Sequence, residues 1–152
     1  MKSLQSLITD TLLTDFFPNA RLQLNDIEYA LPDKAWVSDE LWFKSFESWL
    51  FDNGLQKWRE TWDCNKFSAT FYLFAKICHS HTMDGYAAQG LPTVQGIAVG
   101  MMCYSICGDP KEGHSINVVI ANDGAVYTFE PQTGKYVELT QQERESCWFV
   151  MM

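Results

Sequence analysis

The stretch Thr61-Trp62-Asp63-Cys64-Asn65-Lys66-Phe67 decides how the rest of the chain is read. A short acid stands directly before a cysteine, and an apolar pattern of helical period follows through Phe67, Phe71, Phe74, Ile77 and Cys78. Asp63 is therefore expected to cap a largely buried helix, with Cys64 in its first turn. There the free backbone N–H groups and the positive end of the helix dipole suit an anionic thiolate. A cysteine so placed is a candidate nucleophile if another part of the chain supplies a base.

Composition sets the frame for that search. With 152 residues, 47% hydrophobic and 14% aromatic, the chain is long enough to bury a core without disulfides or metal. One domain spanning 1–152 is expected, with 1–28 as an N-terminal helical extension. A formal charge of −8 argues against nucleic acid and anionic membranes as partners, because both would repel it. The five cysteines are an odd number, so they cannot all pair. The first residues show neither a signal peptide nor a long apolar run, so reduced thiols in a cytoplasm, bacterial or in a phage-infected cell, are expected.

Outward from the quoted stretch, the pattern divides into helices first and strands second. Leu4, Leu7, Ile8, Leu12 and Leu13 recur at helical spacing, and Ser38-Asp39-Glu40 opens a second helix with Leu41, Trp42, Phe46, Trp49 and Leu50 as its buried stripe. Trp36, Trp42, Trp49, Trp58 and Trp62 read as a packed aromatic wall in preference to a sugar-stacking platform. Beyond Gly85 the period changes. Ile97 to Ile106 reads as a buried strand, Gly108 to Gly113 as a loop and His114 to Ala121 as a second strand. Asn122-Asp123-Gly124 is a hairpin turn that sends Ala125 to Glu130 back antiparallel. The sum is an α+β fold: N-terminal helices packed on a C-terminal antiparallel meander.

Of the three histidines, His79 and His81 fall at the end of the Cys64 helix beside Cys78, where polar residues are ordinary and no fourth metal ligand stands out. No metal site and no cofactor are expected. His114 follows a glycine at the mouth of a strand, where an imidazole can project toward a helix N-terminus. Counting outward from the hairpin pairs Ala121 with Ala125 and brings Glu130 within one or two residues of His114, close enough for a bulge or offset to join them. Asn117 competes as the residue that orients the imidazole, but it alternates to the opposite face of the strand. Cys64, His114 and Glu130 are thus the candidate triad.

These motifs resemble the papain-like superfamily of cysteine hydrolases. The similarity is greatest to the cysteine-protease domain at the C-terminus of a mushroom agglutinin and its bacterial and phage relatives. It is carried by Tyr29-Ala30-Leu31-Pro32, Asp63-Cys64, His114-Ser115-Ile116-Asn117 and Phe129-Glu130-Pro131-Gln132, and runs from about Tyr29 to the end of the chain. The resemblance implies Cys64 as nucleophile, His114 as base and Glu130 as orienter, cleaving a peptide or amide through a thioester. The Cys64 backbone N–H would hold the oxyanion with a second donor, Gln56 or Trp58. A second resemblance, to the NlpC/P60 cell-wall peptidases, departs where Asn65-Lys66 replaces their Ser-Gly. Transglutaminase-like acyl transfer would use the same residue order. The other class of reading is a catalytically silent protein that keeps the fold and binds, through an acidic surface, a basic protein partner.

Overall fold

The computed structural model describes residues 2–152, with side chains from Gln5 onward. Its main sheet has six strands in the order β2 (Arg21–Gln23), β9 (Phe149–Met151), β5 (Val99–Ser105), β6 (Gly113–Ile120), β7 (Val126–Glu130) and β8 (Lys135–Val137). A smaller sheet joins β1 (Lys2–Gln5), β3 (Glu28–Leu31) and β4 (Gly96–Ile97). Five helices complete the chain: α1 (Ser6–Phe16), α2 (Trp36–Phe46), α3 (Glu47–Asp52), α4 (Cys64–Ala88) and α5 (Gln141–Glu145). The architecture is α+β, as the change of period implies.

Strand alternation gives the main sheet two apolar faces. On one, Met102, Ile116, Val118, Ile120 and Val150 pack with Leu13 and Phe17 from α1 and its end. On the other, Val99, Val119 and Phe129 pack with Val37, Leu41 and Phe46 of α2 and Phe67 and Phe71 of α4. Phe71 stacks on Phe129 with ring centroids 5.2 Å apart, and Phe46 meets Phe71 edge-on at 5.1 Å. The sheet is covered on both sides.

Three elements differ from the sequence expectation, each for a physical reason. Leu4 belongs to β1, because the backbone before Ser6 pairs with β3, so the opening helix starts later. Helix α2 begins at Trp36 and is wound as a π-helix, the Glu47 N–H reaching Trp42 O. The apolar tail contributes β9, which lies parallel to β2 and antiparallel to β5. Residues 21–23 are thereby tied into the main sheet, which is mixed.

The β7–β8 turn is locked to α2. The Trp42 indole N–H donates to Pro131 O at 2.7 Å, and the ring lies against Gly134. Gly134 has φ +70°, and a Cβ there would stand 2.2 Å from the Trp42 ring. Gly134→Ala is therefore expected to destabilise the fold by at least about 1–2 kcal/mol, the cost of a left-handed L-residue, with more from displacement of the ring. A urea titration followed by tryptophan fluorescence checks it; an unchanged midpoint would refute this account of the turn.

Candidate functional site

Helix α4 is capped at its start. Arg59 and Trp62 exchange backbone hydrogen bonds across a tight turn, and Asp63, in extended conformation (φ −96°, ψ −175°), accepts from the Lys66 N–H at 3.3 Å. The Lys66 ammonium bonds the same carboxylate at 3.2 Å and holds its pKa below the usual aspartate value. Cys64 is the first helical residue, half-buried.

One turn further on, buried polar groups rivet α4 to the sheet. Ser68 Oγ shares a hydrogen bond with Ser115 Oγ, whose hydroxyl also contacts Met102 O at 3.1 Å. The Asn117 amide donates to Ser68 O and Gly100 O, both at 2.9 Å. Asn117 is fully buried, so it ties helix to sheet. Burial and the neighbouring Ser115 surround the Cys103 thiol, whose pKa is raised chiefly by desolvation. Burial likewise pushes the Cys147 thiol up to about 12.

Ser115 and Asn117 point toward α4, so His114 alternates to the face shared by Ile116 and Val118. Its Nε2 lies 2.7 Å from Glu130 Oε2, and Glu130 Oε1 accepts from the Gln132 N–H at 3.1 Å. The observed register, Asn117 opposite Phe129 and Ile120 opposite Val126, carries Glu130 to a position diagonal to His114 without a bulge. A ring nitrogen facing a carboxylate carries the proton, so Nε2–H is the donor. Tyr104 meets the imidazole edge-on at 5.8 Å. Its phenol is pushed up to about 12 by burial and by the charges of Glu143 and Glu130, so it stays a neutral donor. Among the described residues no hydrogen bond joins Cys64 Sγ to His114.

The candidate oxyanion donors lie elsewhere. Trp58 is 58% exposed, and Gln56 lines a shallow hollow with Glu47, Phe51 and Asp52. The indole N–H that is buried without a partner, among the described residues, belongs to Trp62. Sequence reasoning had grouped Trp62 with the aromatic wall; its place two residues before Cys64 was the available signal. It also missed Trp148, which is 49% exposed and lies 3.4 Å from where a Cβ on Gly113, the residue before His114, would stand.

No family model matches this chain, and no curated protein matches it. Solved structures do. The fold is similar to Polyporus squamosus lectin bound to the human-type influenza-binding epitope Neu5Aca2-6Galb1-4GlcNAc, with TM-score 0.67 and 20% identity over 99% of this chain and 49% of that one. It is also similar to a PSL1a–E64 complex, with TM-score 0.62 and 19% identity over 99% of this chain and 50% of that one. The chain thus spans about half the length of these solved chains, and both are complexes with ligands.

These neighbours correct the functional expectation. The expected papain-like membership, and the cysteine protease, amidase or cell-wall peptidase activity that went with it, are overturned as readings of the comparisons, whose solved structures of similar fold include a lectin. Of the residues grouped by the sequence reading, the structure brings His114 and Glu130 into contact, and among the described residues it shows no hydrogen bond between His114 and Cys64.

The cap gives a direct test of the helix start. Asp63→Ala is expected to cost about 1 kcal/mol of stability at neutral pH. Because the folded-state pKa is lowered, the wild-type advantage is complete above the ordinary aspartate value and disappears as pH falls through the lowered one. Urea midpoints of the two proteins should converge below about pH 4. A gap that persists in strong acid contradicts the capping role.

Proposed function

We propose that this chain is a binding protein whose ligand seat lies where β6 begins and β7 ends, with His114 and Glu130 as its polar anchors. The observation that carries this reading is the His114–Glu130 hydrogen bond, held partly buried (19% and 14% side-chain exposure) one residue along β6 from Gly113, against which the half-exposed Trp148 packs. The pair offers a donor and acceptors already fixed in orientation, so little ordering is needed when a ligand arrives. An exposed indole adds a flat apolar face with a polar edge. Together they suit a ligand with hydroxyl groups on one side and C–H groups on the other. That is the chemistry of a glycan.

The similarity to a lectin fold supports a glycan as the first ligand to test. The formal charge of −8 favours neutral sugars, or a basic protein partner, over anionic ligands. The five free thiols support a cytoplasmic setting. Among the described residues no helix is long and apolar enough to cross a membrane.

Titration of the labelled protein with Galb1-4GlcNAc and with its sialylated form should give saturable shifts in the amides of Gly113, His114 and Glu130. The neutral disaccharide should bind at least as well. His114→Ala and Trp148→Ala should each weaken binding by about tenfold or more, the scale of one charge-assisted hydrogen bond or one aromatic contact. Absence of saturable binding across a glycan array, or affinity unmoved by both substitutions, would sink this reading.

A further inference from the structure

We infer that a second site, separate from the His114 seat, receives a primary amine carried on an aliphatic stem. It is a cavity of about 600 Å³ between the C-terminal half of α4, the β2–β3 connection and the segment leading into β4. That volume falls within the range of small-molecule sites, roughly 300–1,000 Å³.

Its walls are braced by side chains from all three segments. His79 Nε2 meets Val94 O at 2.9 Å, and the Val94 N–H donates to Met83 Sδ at 3.3 Å. The Ile27 N–H donates to Gln95 Oε1 at 3.2 Å. Lys76 Nζ donates to Asp26 Oδ2 at 2.8 Å while lying over the Tyr29 and Tyr72 rings. Asp26 in turn rests on Gly96, where a Cβ would come within 2.4 Å of its carboxylate. A glycine at 96 is what lets this acid lie against the strand.

The chemistry of the lining selects the ligand. Lys76 is already neutralised by Asp26, which leaves the carboxylates of Glu28 and Asp84, both exposed at the lining and without ion-pair partners among the described residues. His79 is only 4% exposed. Because its Nε2 faces a carbonyl, that nitrogen carries the hydrogen and Nδ1 is a bare acceptor with no protein partner among the described residues. Of the cavity's unpaired groups, Glu28, Asp84 and His79 Nδ1 accept, the Gln95 amide donates and the Ser80 and Thr93 hydroxyls do either, so the charge left uncompensated at the lining is negative. Met83, Ala87 and Val94 supply apolar surface between them. An ammonium donating to His79 and the rim acids, with methylenes along Met83, fits both features. Such a group comes either from a free diamine or from a lysine side chain of a partner protein.

The test is an amide-shift titration of the full chain with 1,5-diaminopentane, with N-acetyl-lysine methylamide and with 1,5-pentanediol. Saturable shifts at Ile27, Met83 and Val94 are expected from at least one amine and not from the diol. The amine that binds more tightly identifies the source, free or peptide-borne. Glu28→Gln combined with Asp84→Asn should weaken amine binding about five- to tenfold, the effect of two solvent-exposed charge pairs. That variant should leave glycan binding at the His114 seat unchanged. Met83→Trp, which fills the cavity, should abolish the shifts. No saturable shift from either amine, equal shifts from the diol, or an affinity indifferent to the loss of both carboxylates would overturn the proposal.

Discussion

The fold depends on the buried hydrogen bonds that join α4 to β6, whose side chains also reach the backbone of β5. Ser68, Ser115 and Asn117 form them in a region otherwise packed with Phe67, Phe71 and Phe129. A buried hydroxyl or amide left unpaired costs more than its hydrogen bond returns, so these groups allow few alternative placements of the helix. A slide of α4 by one residue would cost Ser115 and the Asn117 amide their helix partners, leaving each only its contact to β5. Apolar packing supplies most of the adhesion between helix and sheet. The polar contacts fix where along the sheet the helix sits, and so where Cys64 and Trp62 arrive.

That constraint also sorts the strand residues. Because β6 commits Ser115 and Asn117 to the helix, alternation sends His114 the other way, toward Tyr104 and Glu130. Sequence spacing alone had brought Cys64, His114 and Glu130 into one constellation. In the folded chain the Glu130 contact forms through Nε2, and among the described residues no hydrogen bond links the imidazole to the thiol. The pair then acts as a fixed donor and acceptor at a sheet end, which is the property that a polar ligand can use.

Much of the architecture was legible locally. Asp63 before an apolar run announced the start of α4, and Asn122-Asp123-Gly124 set a hairpin whose observed register follows from simple counting outward. Thr140 with Glu143 forms a full capping box on α5. What was not legible is non-local. Strands β2 and β9 have three residues each, too few to show alternation, and they pair across the length of the chain. Helix propensity around Leu4 gave way to pairing with β3, because backbone groups beside a strand find partners there. The exposed Trp148 carried no motif at all; only its position against Gly113 marks it.

The two polar regions of the molecule differ in how their charge is arranged, and this bears on what each can hold. At the start of β6 a single carboxylate is paired with an imidazole, which leaves hydrogen-bonding capacity with little free charge. Along α4 the lysine is consumed by Asp26, and the acids that remain line a hollow of mixed polar and apolar side chains. In a chain of charge −8 an unpaired anion repels further anions, so the first region suits neutral hydroxyls and the second suits cations. The glycine at 96 serves the second region by removing a side chain where the Asp26 carboxylate approaches the backbone.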